Sequence, residues 1–177
     1  MYELMSHLGV TVCYLLIVSL LMRNFSLLFW LGGLLGMNLL DIDHLFYLFT
    51  HSKEEACQPV FQMWREKKYQ EAIFYLVGSH KSYNRKLLHN AFFAAVFALF
   101  AVLVVATNNG LFQIGLTLSI YLHLLKDIIS DVRNMEHLKE WLFWPINHPI
   151  SDYIVKIYIV VLSLLFFLLT GMLFRRF

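Results

Sequence analysis

Residues 154–174 read IVKIYIVVLSLLFFLLTGMLF, with one charged side chain, Lys156, near the start and none after it. A bilayer span needs about 20 apolar residues at a rise of about 1.5 Å each, so this stretch is long enough to cross a membrane as one helix. Four further apolar runs precede it, at residues 8–22, 25–40, 91–107 and 111–125. Each is shorter and carries polar residues at one end, which reads as a helix continuing a turn or two beyond the hydrocarbon. The composition agrees. Of 177 residues, 59% are hydrophobic and only 15% charged, with 16 Phe, nine Tyr and four Trp, and the mean hydropathy is +0.64. Water-soluble domains have about 45–50% apolar and about 25% charged residues. Disordered, collagenous and disulfide-scaffold classes are excluded, and an all-α integral membrane protein is expected.

The runs divide the chain into one membrane domain over residues 1–177. Spans are expected near residues 5–22, 25–44, 90–107, 111–130 and 153–174, about five in all, with a helical cytoplasmic insert at 51–88 and interfacial helices at 131–152. Arg23-Asn24 and the turn signal Asn108-Asn109-Gly110 are short connections, so neighbouring helices must form antiparallel hairpins. The insert mixes charges with Val60-Phe61, Met63-Trp64 and residues 73–77, a pattern suited to short helices on a membrane surface. No basic segment precedes residues 8–22 and no small-x-small site follows, so a retained first helix is expected rather than a signal peptide. A formal charge of +2 without a basic block gives no reason to expect nucleic acid, and Cys13 and Cys57 do not suggest a disulfide. With the N-terminus inside, only Arg23, Arg175 and Arg176 of the 14 Lys and Arg fall outside, the bias expected of cytoplasmic loops.

This topology brings particular polar residues to one membrane face. His7 precedes the apolar part of the first helix, and Asp41, Asp43 and His44 follow the second. His89 stands before the third, and His123 and Asp127 end the fourth. The gathering depends only on the hairpins and survives inversion of the whole protein. His123 and Asp127 are one helical turn apart on one face, and Asp131 extends the stripe as a further acid or as a carboxylate orienting a histidine. Asp41 and His44 share a face if the helix continues; Asp43 then points elsewhere unless the chain unwinds. Mixed imidazole and carboxylate donors suit zinc, manganese or iron rather than calcium. Each residue alone could equally be a snorkelling helix-end group. His51, His80, His137 and His148 fall in exposed segments and read as surface residues. Gly32, Gly33 and Gly36 sit mid-helix, where small residues let helices pack closely.

Several segments resemble one family. Asp41-Ile-Asp-His44 is similar to the Pro-Asp-Ile-Asp-His motif of bacterial membrane-bound metal-dependent hydrolases, also described as LexA-regulated inner-membrane hydrolases. Ser6-His7-Leu8 resembles their Thr-His opening, and Arg85-Lys-Leu-Leu-His89-Asn90 their His-Arg-x-x-Thr-His-Ser segment. His123-Leu-Leu-Lys-Asp127 looks like their His-Leu-Leu-x-Asp, and Leu142-Phe-Trp-Pro145 like their Leu-Trp-Pro-Phe. The matches occur in the family order and cover most of the chain outside the first half of the insert. Leu40 replaces the motif proline, Asn84 its first central histidine, and Leu88 and Asn90 its Thr and Ser; His80 is a histidine that could take the place of Asn84. The ligand order is more remotely similar to zinc-dependent phospholipase C.

The resemblance implies a metal-dependent hydrolase in a bacterial inner membrane. His7, Asp41, His44, His89, His123 and Asp127 would hold one or two divalent ions, zinc first and manganese or iron next. Asp43 would be a ligand or general base, and Arg85 with Lys86 would meet charge developing on a phosphoryl oxygen. A lipid or lipid-linked phosphoester in the bilayer is the expected substrate. Two other classes stay open: a proton or metal transporter, and a regulatory membrane protein with a structural metal site. Helix centres nearly free of ionisable groups count against the former.

Overall fold

A computed structural model describes residues 2–52, 54–55, 57–78, 86–107 and 110–174. The described residues form nine helices and no strand: α1 (Tyr2–Leu21), α2 (Leu27–Leu39), α3 (Ile42–Thr50), α4 (Gln58–Arg65), α5 (Tyr69–Gly78), α6 (Ala91–Ala106), α7 (Leu111–Asp131), α8 (Met135–Leu142) and α9 (Asp152–Leu173). By length and composition, α7 and α9 can each cross a membrane. The apolar helices at Met5–Leu21, Leu27–Leu39 and Ala91–Ala106 are shorter. The expected turn at Asn108-Asn109 lies outside the described residues.

Helix α7 is the hub, packed against α1, α2, α6, α8 and α9. Its most extensive partner is α2, and glycine is the reason. A methyl group at Gly32 would collide with the Phe112 carbonyl, one at Gly36 with the Leu116 carbonyl, and one at Gly115 with the Phe29 carbonyl. The two backbones therefore touch directly, the arrangement that small residues four apart permit where helices cannot rely on the hydrophobic effect to associate. Helix α6 turns its small buried face, Ala94, Ala98, Ala101 and Val105, inward against α7 and α9. Side-chain hydrogen bonds tie the other pairs: Trp30 Nε1 to Ser19 Oγ, Tyr14 with Thr170, Tyr121 to the Leu162 carbonyl and Tyr158 to the Ala91 carbonyl.

Large apolar side chains face outward along the same helices. They include Leu28, Leu31, Leu35 and Leu39 on α2, Phe92, Val96, Leu99 and Leu103 on α6, and Ile154, Ile157, Val161, Leu164 and Leu168 on α9. His7, Thr11, Ser19, Asp43, His89 and His123 are buried inside. The core is otherwise apolar, so what sets these helices apart from those of a water-soluble bundle is the continuous apolar stripes on their outer faces, which suit lipid.

The second helix differs from expectation. The span expected over residues 25–44, with continuation or unwinding near Asp43 left open, is two helices: α2 stops at Leu39 and α3 starts at Ile42, with Leu40 and Asp41 still in the right-handed helical region and the Asp41 N–H bonding the Asn38 carbonyl in a tightened turn. Helices α4 and α5 of the insert share a small separate core with α3: Tyr47, Leu48, Cys57, Val60 and Ala72. Asp131, one turn beyond Asp127 at the end of α7, is engaged by α8. Its Oδ2 accepts from His137 Nδ1 at 3.0 Å and Trp141 Nε1 at 2.8 Å, docking α8 beneath the bundle.

Candidate metal centre

Five of the residues singled out above come together at one end of the bundle. His7 comes from the start of α1, Asp41 from the break between α2 and α3, His89 from the loop entering α6, and His123 and Asp127 from adjacent turns of α7. The carboxylate of Asp127 is the meeting point. Its Oδ1 lies 3.0 Å from His7 Nε2, and its Oδ2 lies 3.2 Å from His123 Nε2 and 3.5 Å from His89 Nε2. Asp41 Oδ1 stands 3.7 Å from His123 Nε2. The rings of His7 and His123 stack at 4.0 Å, while His89 meets His123 edge-on at 5.7 Å.

These separations bear on what the group can hold. Zinc sits about 2.0–2.1 Å from nitrogen and oxygen donors, so neighbouring corners of a tetrahedral site are about 3.3–3.4 Å apart. The contacts of 3.0–3.7 Å bracket that edge length, and the two longest exceed a good hydrogen bond. Two overlapping triads, His7–His123–Asp127 and Asp41–His89–His123, each have donor atoms mutually within 4.8 Å. The buried His/Asp group can hold a metal ion. The three histidines are buried, whereas Asp127 is less so and Asp41 is the most exposed of the five, which leaves the cluster open on the Asp41 side.

A second layer orients the imidazoles. His123 Nδ1 donates to the Met37 carbonyl at 2.7 Å, near the end of α2, where the helix terminus leaves carbonyls in need of partners. With its proton on Nδ1, the ring presents the Nε2 lone pair to the cluster. His89 is held in the same way, its Nδ1 lying 3.2 Å from Asp43 Oδ2. Asp43 in turn accepts the N–H groups of Leu87 at 3.1 Å and Leu88 at 2.7 Å. A buried carboxylate behind a histidine is the usual support of a metal-ligating imidazole. Asp43 was expected to be a ligand or general base; the structure places it behind His89 instead. Asn90 fastens this loop, capping α6 through Phe93 N–H at 2.9 Å and donating to the Leu87 carbonyl at 2.7 Å.

No protein-family model, curated protein or solved structure matches the chain. What the cluster can do therefore has to be read from its own geometry.

Of the remaining expected site residues, His44 belongs to the first turn of α3, its side chain outside what is described, and Arg85 lies outside the described residues, as do His80 and Asn84. Lys86 lines a cavity of about 210 Å³ beside Asp43, together with Tyr47, Thr50, His51 and Trp144. Three participants were not anticipated. Asn90 had only the sequence signal of an Asn before an apolar run. Trp144, whose Nε1 donates to the Lys86 carbonyl at 3.1 Å, belongs to the Leu-Phe-Trp-Pro segment but had no role assigned. Lys126 lies between the two ligand-bearing turns of α7, and its Nζ comes within 2.9 Å of His7 Nε2.

Proposed function

We propose that the chain is a membrane protein of about five spans, formed by α1, the α2–α3 pair, α6, α7 and α9, and that it works as a metal-dependent hydrolase at the cytoplasmic surface. The observation that carries this reading is the convergence of His7, His89 and His123 through Nε2 on Asp127, with the Nδ1 atoms of two of them held from behind. Locked rings aimed at one point are costly to build in a bundle core unless something sits there.

A divalent ion held there, zinc first and manganese or iron next, supplies Lewis acidity toward a phosphoryl or carbonyl oxygen and lowers the pKa of water toward 7. The protein supplies the rest. His89, His123 and Asp127 would hold the ion from the buried side, and Asp41 would hold it from the open side, where substrate and water can reach it. Lys86, in the adjoining cavity, offers a cation to the substrate's anionic group; Arg85 is the second cation proposed for that role.

The apolar exterior makes a lipid or lipid-linked phosphoester the fitting substrate class, and the likeness to bacterial inner-membrane hydrolases points the same way. The distribution of Lys and Arg supports an N-terminus on the cytoplasmic side.

The test is metal content by mass spectrometry on detergent-purified protein, for wild type, His123→Ala and Asp127→Ala, followed by a screen of phosphoester lipids with and without chelator. Stoichiometric metal in wild type, lost from both variants, with chelator-sensitive hydrolysis, is the expected result. A folded wild type that neither carries nor rebinds zinc, manganese or iron would overturn it.

A further inference from the structure

The two oxygens of Asp127 face differently furnished sides. Toward Oδ2 lie His89 Nε2 and His123 Nε2, with Asp41 Oδ1 beyond, which is one of the two metal-capable triads completed by a carboxylate. Toward Oδ1 lie His7 Nε2 at 3.0 Å and the ammonium of Lys126 at 3.8 Å, and that ammonium is 2.9 Å from His7 Nε2. An ammonium has protons only to give, so it can bond His7 Nε2 whenever that nitrogen carries its lone pair. His7 Nε2 and an oxygen of Asp127 thus both already lie beside one side-chain cation.

We infer that the centre is built for a single divalent ion on the Oδ2 side, and that the Lys126 ammonium occupies the second cation position, between His7 and Asp127 Oδ1. This rests on the metal-centre reading above and decides its nuclearity. Two-ion hydrolytic sites set their ions about 3.5–4 Å apart, often bridged by one carboxylate. Asp127 has the place of such a bridge, but a fixed side-chain cation stands at one of its ends.

Charge balance supports the assignment. Asp41, Asp43 and Asp127 bring three negative charges, and one divalent ion with the ammonium groups of Lys126 and of Lys86, which lines the cavity beside Asp43, already exceeds them by one. A second divalent ion beside Lys126 would leave a large positive excess in a buried, poorly screened place. Lys126 also fits the position sterically. It comes from the same α7 turn as Asp127, and its side chain is only 14% exposed, lying along the bundle rather than reaching out to solvent. In function, the ammonium would take the part of a second ion, steadying an anionic oxygen of the substrate without having to be recruited.

The experiment uses the full-length chain in detergent, stripped with chelator and reloaded with Zn²⁺. Bound metal is counted by mass spectrometry, and affinity is measured by competition with a chromogenic chelator. Wild type is expected to saturate at one ion per chain. Lys126→Glu, which replaces the ammonium with a third donor beside His7 and Asp127, is expected to take two. Lys126→Met, which removes the positive charge and adds no donor, is expected to keep one ion and hold it about tenfold more tightly. Two ions in wild type, or an affinity in Lys126→Met no better than wild type, would overturn the inference while leaving the metal centre standing. A folded wild type that takes up no zinc would overturn both. If Lys126→Glu fails to elute as a folded species, wild type and Lys126→Met decide the matter.

Discussion

Asp43→Asn is the substitution that best separates a ligand from a residue that orients one. Asp43 is 1% exposed, and its two oxygens receive Leu87 N–H, Leu88 N–H and His89 Nδ1 at 3.1, 2.7 and 3.2 Å. Asparagine is nearly the same shape but has one acceptor oxygen. If that oxygen stays with Leu88 and His89, the new NH₂ group points at Leu87 N–H, and one hydrogen bond to a charged acceptor is lost. Such bonds are worth about 1.5–3 kcal/mol. The His89 imidazole also loses the anionic partner that holds its Nδ1. The first loss is a cost in folding stability; altering an outer partner of this kind separately costs about 10–100-fold in metal affinity, or about 1.4–2.7 kcal/mol. The assay is zinc affinity by chelator competition in detergent, with His123→Ala as the metal-free reference and circular dichroism to verify folding. A value within about threefold of wild type would refute the orienting role. Complete loss of metal from a folded Asp43→Asn protein would refute it from the other side, because Asp43 would then be a ligand.

Three further outcomes test the framework around the centre. Gly36→Val should prevent recovery of folded protein, since a side chain there must displace the Leu116 carbonyl, whereas Gly9→Ala, with nothing within 4 Å, should be neutral or raise thermal stability slightly; yield and melting in detergent check both. Asn90→Ala removes the α6 cap and the tether to the Leu87 carbonyl, and should cost about 1–2 kcal/mol in stability, read by thermal melting, with a measurable weakening of zinc binding as the Asp43 clamp loosens. Asp131→Ala should free α8, changing Trp141 fluorescence and costing about 1–3 kcal/mol, while leaving metal stoichiometry as in wild type, since Asp131 bonds His137 and Trp141.

The all-helical architecture was legible because apolar runs long enough to be helices are separated by charges and turn signals. The gathering of His7, Asp41, His89, His123 and Asp127 was legible for a simpler reason: antiparallel hairpins fix which helix ends meet, whatever the side-chain details. The break after Leu40 was not. No proline or glycine marks it, and the sequence reads on smoothly into Ile42. The turn only tightens there, with Leu40 and Asp41 still helical in φ and ψ, and the bond the Met37 carbonyl accepts comes from far along the chain, from His123, a partner with no local signature. The role of Asp43 went unread for the same reason, since its partners Leu87 and Leu88 offer backbone N–H groups, which any residue but proline provides. Lys126 looked like a loop cation when charges were counted, and only its path along the bundle shows that it turns inward.

Packing and chemistry meet on α7. Gly36 lies one residue before Met37 on α2, and Leu116 lies two turns before His123 on α7. The backbone contact between Gly36 and Leu116 therefore sits beside the bond that orients His123. Any substitution that pushes α2 away from α7 must also draw the Met37 carbonyl from His123 Nδ1. The ring would then lose its fixed tautomer, and the Nε2 lone pair its aim at Asp127. The glycines that let two helices touch thus also set the register of the candidate ligands. This is why the helix with the closest backbone packing in the bundle can carry His123, Lys126 and Asp127 within two turns and hold each to a different task.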